Sequence, residues 1–200
     1  MDVVSAGKSR ESLTVRKQRA TKARIAAAAA QAVVDHGLAG ATIEHIAAGA
    51  EVGRATFFRY FSAKEDAVAE GMTTRWLDAI TAAIAVQPPD LPAHAAVVAA
   101  YESLGDGFDT ISDEVRELAA LTRSSPVFSA WTLQIYLRYE AAIADLVSPR
   151  IADLAPDDPR PRMLGAAAMA AVRIALDDWL IHGGSLPERV RSALGAIQVA

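Results

Sequence analysis

The stretch Ile46-Ala-Ala-Gly-Ala-Glu-Val-Gly-Arg-Ala-Thr-Phe-Phe-Arg-Tyr-Phe61 decides the fold of this chain. It predicts a short helix that ends in small residues, a sharp turn, and a second helix over 54–60. Ser62-Ala-Lys-Glu65 follows at once and predicts a capping box that starts a longer helix. Two short helices joined by a tight turn indicate a helix-turn-helix, whose second helix enters the major groove of DNA.

Helical periodicity continues on both sides of this stretch. His36-Gly37 predicts the end of the first helix, and Thr42 is expected to cap the next. The proline-rich segments 87–92 and 148–161 predict loops. No stretch alternates apolar and polar residues as a half-buried strand would. We therefore predict an all-α fold of about nine helices, at about residues 15–35, 43–48, 54–60, 62–86, 93–104, 112–123, 127–147, 162–182 and 186–197.

Charge is distributed unevenly along the 200 residues, whose net charge is −4. Residues 1–64 hold ten Lys and Arg but five acids, a net charge of +5, whereas residues 65–200 carry −9. A basic end on an acidic remainder indicates a segment that faces a polyanion, although a solvated basic tail would give the same count. Residues 1–15 lack periodicity, so we predict a disordered basic arm there.

Several function classes find little support in the sequence. There is no cysteine, so disulfides and thiolate-bound metals are excluded. The four histidines (His36, His45, His94 and His182) are scattered, and no G-x-S-x-G, P-loop or H-E-x-x-H motif is present. We therefore expect no catalytic residues, no metal and no cofactor. The N-terminus lacks an apolar secretory region and no stretch suits a bilayer span, so we expect a cytoplasmic protein without a membrane partner.

The segment from Thr42 to Glu65 closely resembles the DNA-binding domain of the TetR family of one-component regulators, and the resemblance extends over roughly Thr21 to Glu65. It implies a homodimer whose N-terminal domains bind a palindromic operator in double-stranded DNA, with a helical body that holds a small-molecule pocket and the dimer interface. We accordingly expect a helix-turn-helix domain over 16–64 and a ligand-binding and dimerisation domain over 65–200.

Three residues depart from the family pattern. Glu51 stands where a turn glycine is usual, at a position that often needs a positive φ, which costs a non-glycine residue about 1 kcal/mol. Gly53 replaces the usual serine cap of the second helix. Phe58 stands where tyrosine is common, so it lacks the hydroxyl that would contact a phosphate.

The resemblance assigns DNA contacts to individual residues. Arg54 and Ala55 begin the second helix, where arginine suits guanine and alanine suits a thymine methyl group. Residues that match positions contacting the DNA backbone are Thr42, Thr56, Tyr60 and Lys64, and Arg59 either joins them or faces solvent. Basic residues at the start of the first helix would add affinity that salt weakens, and these are Arg16, Lys17, Arg19, Lys22 and Arg24.

The effector site is expected in the C-terminal helices. Bulky candidates for its wall are Trp76, Tyr101, Phe108, Phe128, Trp131, Ile135 and Trp179, for each of which plain core packing is an equal alternative. Candidate anion partners are Arg123, Arg138 and Arg173, and Arg173 could instead pair with Asp177 one turn on. An apolar lining predicts a small hydrophobic effector. The segment from Arg123 to Gly184 also resembles a TetR subgroup whose body holds acyl-CoA-like ligands.

The helix over 162–182 is rich in alanine, which suits close approach of a second protomer. We expect its small residues, with Met169, Val172, Leu176 and Trp179, to form a four-helix dimer interface together with the final helix; an internal core helix is the alternative. The helix over 62–86 joins the two domains, and Gly71 is interpreted as its soft point.

The sequence thus favours a ligand-responsive transcriptional regulator, more specifically a repressor that its effector releases from DNA. Two other classes stay open. One is a ligand-independent architectural DNA-binding protein, and the other is an all-α enzyme.

Overall fold

The protein is described by a computed structural model that covers residues 13–123 and 126–197, without the side chains of residues 126–129. Over these residues the chain forms nine α-helices and no strand, so the all-α prediction is confirmed. The helices are α1 (Leu13–Gly40), α2 (Ile43–Gly49), α3 (Arg54–Tyr60), α4 (Lys64–Ala85), α5 (Ala93–Gly105), α6 (Ser112–Arg123), α7 (Pro126–Val147), α8 (Arg160–His182) and α9 (Leu186–Gly195). Short 3-10 turns occur at Phe108–Thr110 and Ser148–Arg150.

Most helix ends lie where local sequence signals predict them. Gly37 adopts φ 71° and interrupts the helical conformation of α1, as its role as a stop requires. Helices α3 and α6 have the predicted bounds. Helix α8 begins two residues before the predicted start, at Arg160, because Pro161 is tolerated in the first helical turn. Of the predicted arm, residues 1–12 lie outside the described residues, and Leu13 to Val15 belong to α1.

The start of α4 differs from the predicted capping box. The carboxylate of Asp66, not that of Glu65, accepts from the backbone N–H of Ala63 at 3.2 Å and from the hydroxyl of Ser62. Because the helix begins at Lys64, the acidic residue that can reach back to the N-terminus lies one position later than predicted.

The chain divides into two compact units, one ending at Met72 and the other beginning at Thr73. We call residues 13–72 the N-terminal unit and residues 73–197 the C-terminal unit. The core of the N-terminal unit is built from α1 to α4 and includes Ile25, Ile46, Phe57, Phe61 and Val68. Around the helix-turn-helix, Ile46, Ala47, Phe57 and Phe61 are buried, whereas Ile43 and Val52 are half-buried.

Gly71 occupies a tight helix crossing in the N-terminal unit. A Cβ atom at this position would lie 1.9 Å from the carbonyl oxygen of Ala26 on α1, far inside van der Waals contact. The interpretation of Gly71 as a soft point of α4 is therefore wrong: the residue is glycine because the backbones of α1 and α4 approach each other there.

The C-terminal unit packs α5, α7, α8 and α9 around residues such as Val97, Ile143 and Leu194. A Cβ atom on Gly165 of α8 would lie 2.3 Å from the carbonyl oxygen of Glu140 on α7, so these two helices also cross closely. Arg150 fixes the end of α4. Its guanidinium donates to the carbonyl oxygens of Ile84 and Gln87, at 3.3 and 2.9 Å, and to those of Pro88 and Leu91 in the following loop.

The turn between α2 and α3 holds Glu51 at φ 52°, as its position in the motif predicts. A side chain in this left-handed region costs a non-glycine residue about 1 kcal/mol, whereas glycine adopts it freely. Glu51→Gly is therefore expected to raise the free energy of unfolding by up to about 1 kcal/mol. The gain is reduced because glycine also increases the conformational entropy of the unfolded chain. Chemical denaturation of the two proteins measures this difference. A matched Glu44→Gly substitution within α2 should instead destabilise the protein, and a loss of stability at both positions would contradict the strain at Glu51.

Candidate nucleic-acid interface and ligand cavity

The helix-turn-helix is held by a small buried core and two different helix caps. Ile46 of α2 and Phe57 of α3 are fully buried and fix the two helices against the rest of the unit. At the start of α2, the hydroxyl oxygen of Thr42 accepts from the backbone N–H of His45 at 3.2 Å. Gly53 caps α3 without a side-chain hydrogen bond, so the first N–H groups of α3 meet no capping side chain.

One face of α3 is exposed and carries the residues predicted to read bases. Arg54, Ala55 and Arg59 are exposed, and Phe58 keeps 45% of its surface accessible. Thr56 and Tyr60 are half-buried. The placement of these residues on one short helix matches the arrangement that docking in a major groove requires.

The two arginines of α3 have neighbours of different kinds. Arg54 forms an ion pair with Glu44 of α2, and its guanidinium lies 5.3 Å from the centre of the Phe58 ring. Arg59 lies at the same distance from the ring of Tyr60. Because the pair between Arg54 and Glu44 is exposed, it is weak, and a stronger partner can displace the carboxylate.

Two lysines predicted to contact DNA make contacts within the N-terminal unit. The ammonium of Lys64 donates to the carbonyl oxygens of Leu38 and Ala41, at 2.9 Å each, and so holds the end of α1. An ammonium has three N–H donors, so one remains for a phosphate. Lys22 lies 2.6 Å from the carboxylate of Glu70 and 5.3 Å from the centre of the Phe61 ring. Both side chains therefore position α1 and α4, which the sequence did not indicate.

The other basic residues predicted to add sequence-independent affinity lie on α1 rather than on an arm. Their side chains are exposed, and they are Arg16, Lys17, Arg19 and Arg24.

The C-terminal unit contains an apolar cavity of about 290 Å³ between α4, α5, α6, α7, α8 and α9. Five of the predicted wall residues line it, namely Trp76, Tyr101, Phe108, Trp131 and Ile135, whereas Trp179 is buried in the core and does not. The side chain of Phe128 lies outside the described residues. Further lining residues that the sequence did not predict for the cavity include Thr73, Thr122, Tyr136, Tyr139 and Met169.

Of the three arginines considered as anion partners, only Arg123 lines the cavity. Arg138 follows Ile135 by three residues on α7 but is exposed, and Tyr139 occupies the buried position next to it. Arg173 is also exposed and lies 3.7 Å from Asp177. Neither Arg138 nor Arg173 lines the cavity, so the prediction that they serve as anion partners there is corrected.

The polar groups that line the cavity include the hydroxyls of three tyrosines. Tyr139 donates to the carbonyl oxygen of Thr73 at 2.6 Å, and Tyr101 contacts the sulfur of Met169 at 3.8 Å. Burial raises the pKa of Tyr101 and of Tyr139 well above the ordinary value for tyrosine. Burial also raises the pKa of Tyr136, while the guanidinium of Arg123 acts in the opposite direction. All three rings therefore stay uncharged near neutral pH.

Helix α8 presents two different faces. Gly165, Ala168, Ala171 and Ala175 pack inside the C-terminal unit, as an internal core helix would. Met169 and Trp179 are also 2% exposed, so the expectation that they supply area to a dimer interface is wrong. The opposite face exposes large apolar side chains instead, and these are Met163 (65% exposed), Ile174 (48%) and Ile181 (75%).

Neither a cluster of metal ligands nor a membrane span is found in the described part of the chain. Residues 13–123 and 126–197 contain no group of three or more His, Cys, Asp or Glu side chains placed to hold an ion. No helix among them is both long and apolar enough to cross a membrane.

Comparison with known proteins gives two matches to family models. Residues 25–70 match the model described as bacterial regulatory proteins, tetR family. Residues 91–199, more than half of the chain, match the model described as the MftR C-terminal domain. No curated protein matches the sequence at a significant level.

Two solved structures share the fold. FadR of Thermus thermophilus, a TetR family transcriptional repressor solved in complex with lauroyl-CoA, is 19% identical, with a TM-score of 0.62 over 90% of this chain and 97% of that chain. A protein from Mesorhizobium loti named as a putative TetR-family transcriptional regulator is 18% identical, with a TM-score of 0.51 over 93% of this chain and 96% of that one. At these identities the likeness extends to the fold alone.

Proposed function

The chain belongs to the TetR family of DNA-binding, ligand-binding transcriptional regulators, and from this premise we propose that it is a repressor that binds a palindromic operator as a dimer and leaves it when a small hydrophobic effector binds. One observation carries the proposal. A helix-turn-helix with an exposed arginine at the start of its second helix occurs in the same chain as a separate apolar cavity. The cavity argues against an architectural DNA-binding protein, because such a protein binds no effector. The helix-turn-helix argues against an enzyme, because catalysis does not require a DNA-binding motif.

On the DNA, Arg54 and Ala55 contact base edges and the neighbouring residues contact the backbone. An exposed arginine at the start of α3 can donate two hydrogen bonds to guanine, and the methyl group of Ala55 suits the methyl group of thymine. Thr42, Thr56, Arg59, Tyr60 and Lys64 are the backbone contacts of the proposal. Lys22 contributes through the ion pair that fixes α1 rather than through a phosphate.

The cavity supports an effector that is mostly apolar. A dry apolar cavity of about 150 Å³ is large enough for benzene, so 290 Å³ accommodates on the order of twelve carbon-sized atoms. The lauroyl-CoA bound to the Thermus thermophilus FadR has an acyl chain of comparable size. A whole coenzyme A would not fit inside a cavity of this volume, so an acyl-CoA would place only its acyl chain there.

We assign the DNA-binding domain to residues 16–64 and the ligand-binding and dimerisation domain to residues 65–200. Helix α4 runs without a break from Lys64 to Ala85 and so contributes to both compact units. An effector shifts DNA affinity only if it binds one state of the protein better than the other. Helix α4 is the element through which we propose this coupling, because Trp76 and Ile80 of α4 line the cavity.

The dimer interface of the proposal is the exposed apolar face of α8, defined by Met163, Ile174 and Ile181, with α9 beside it. Ile174→Glu places a charge on this face without disturbing the buried side of α8, and should convert a dimer into a monomer at micromolar concentration. Sedimentation velocity of both proteins measures the mass. Leu133→Glu, on an equally exposed position of α7, is the matched control and should remain a dimer. A wild-type monomer that still binds its operator tightly would contradict the proposal.

Selection of bound duplexes from a random-sequence pool tests the DNA-binding part. The proposal predicts enrichment of two inverted half-sites. Enrichment of duplexes that share only a base composition would favour the architectural DNA-binding protein. If no duplexes were enriched, the result would favour the enzyme.

A further inference from the structure

Among the described residues, one cationic side chain lines the cavity, and that side chain belongs to a charged cluster. Arg123, the last residue of α6, lines the cavity together with Tyr136 of α7. Its guanidinium donates from Nε to Oδ1 of Asp177 at 3.1 Å, and a second nitrogen, Nη2, approaches the same oxygen. Arg173 lies 3.7 Å from the other carboxylate oxygen of Asp177. Two guanidinium groups thus share a single carboxylate.

This cluster has a formal charge of +1 beside an otherwise apolar cavity. A positive charge next to a low-dielectric wall attracts an anion more strongly than it would in bulk water. The cluster is also accessible, because the side chains of Arg123 and Asp177 keep 34% and 41% of their surface exposed. A ligand in the cavity can therefore reach the guanidinium of Arg123 without breaking into the core.

We propose that the effector is an amphipathic carboxylate of about ten to twelve carbons, whose chain fills the cavity and whose carboxylate binds Arg123 in competition with Asp177. The donors of Arg123 already hold a carboxylate, and guanidinium groups match that planar anion with two parallel hydrogen bonds. A single excess charge suits a monoanion better than a polyphosphate. The tyrosines of the wall stay uncharged, so they do not repel the anion.

The competition with Asp177 also links the ligand to the protein's internal contacts. The pair between Arg123 and Asp177 joins the end of α6 to α8. When a ligand carboxylate takes over Arg123, Asp177 retains Arg173 on its own helix. Ligand binding thereby breaks the ion pair that connects α6 to α8, while the carboxylate of Asp177 remains paired.

Isothermal titration of the full chain with sodium decanoate and with 1-decanol, both below their micellar concentrations, tests this inference. Decanoate is expected to bind at least about tenfold more tightly than decanol, since a hydrogen bond to a charged group contributes about 1.5–3 kcal/mol. Arg123→Gln should weaken decanoate by about tenfold or more and leave decanol unchanged, and retained decanol binding shows that the variant is folded. Asp177→Asn should strengthen decanoate, because the competing carboxylate is gone.

The matched control is Arg138→Gln, which removes the same charge from an exposed position outside the cavity and should leave both affinities unchanged. Equal affinity for decanoate and decanol would overturn the inference, as would equal weakening of both by Arg123→Gln. Binding of decanoyl-CoA without binding of decanoate would also overturn it. The inference rests on the proposed ligand-binding role of the cavity, but the titration contains no DNA, so its failure is distinguishable from a failure of operator binding.

Discussion

Gly71→Ala is expected to lower the free energy of unfolding of this protein by about 2–3 kcal/mol, the upper part of the range for overpacked cores. The new methyl group would lie 1.9 Å from the carbonyl oxygen of Ala26, and backbone atoms cannot yield as the end of a flexible side chain can. Helices α1 and α4 would have to move apart, and contacts such as the ion pair between Lys22 and Glu70 would loosen with them. Chemical denaturation followed by circular dichroism measures the loss.

Gly195→Ala is the control for the substitution itself. Gly195 is also helical, but nothing lies within 4 Å of the Cβ position, so alanine should be neutral or stabilising by up to about 1 kcal/mol. Gly165→Ala, where the Cβ would meet the carbonyl oxygen of Glu140 at 2.3 Å, should destabilise the C-terminal unit in the same way. If Gly71→Ala were as stable as the wild type, the close crossing of α1 and α4 would be refuted.

Arg54→Ala is expected to weaken binding to a selected operator by about 1–3 kcal/mol per half-site and to relax preference at one base of each half-site. The physical reason is the loss of paired hydrogen bonds to guanine from the exposed start of α3. Fluorescence anisotropy with the operator and with duplexes that differ at single positions measures both effects.

Two further variants separate the roles on this surface. Arg59→Ala, five residues further along α3, should weaken binding to the operator and to random duplexes alike, since a backbone contact carries no base preference. Glu44→Gln should strengthen binding by a few-fold, because it removes both the exposed ion pair of Arg54 and a negative charge. Equal losses on operator and random DNA for Arg54→Ala would show that Arg54 does not read a base.

The parts of the fold that the sequence predicts are those with local causes. The bounds of α3 and the stop at Gly37 follow from residues a few positions apart, whereas the positive φ of Glu51 was implied by the resemblance to the family, in which a turn glycine is usual at that position. The carboxylate that caps α4 lies within the same turn, yet it was placed one residue too early, because Glu65 and Asp66 are equally good acceptors and only the true helix start distinguishes them.

The parts that the sequence does not predict depend on residues distant along the chain. Gly71 has the same local sequence signature whether its helix bends or crosses another closely, and only the position of Ala26 decides between them. The sequence likewise does not show whether the ammonium of Lys64 binds a phosphate or the carbonyl oxygens at the end of α1. In the cavity, aromatic residues could be identified by size. The rotation of α7 that buries Tyr139 and exposes Arg138 depends on distant residues, such as Thr73, whose carbonyl oxygen accepts from the hydroxyl of Tyr139.

Hydroxyl-radical footprinting of the protein on a selected duplex tests the central claim most directly. Two copies of α3, related by two-fold symmetry, should protect two segments whose centres lie about one helical turn, 34–36 Å, or a multiple of it apart. The same pattern should weaken, without a change of spacing, in Arg54→Ala. A single asymmetric protected segment, or uniform protection along the duplex, would contradict a dimeric regulator that reads DNA through α3.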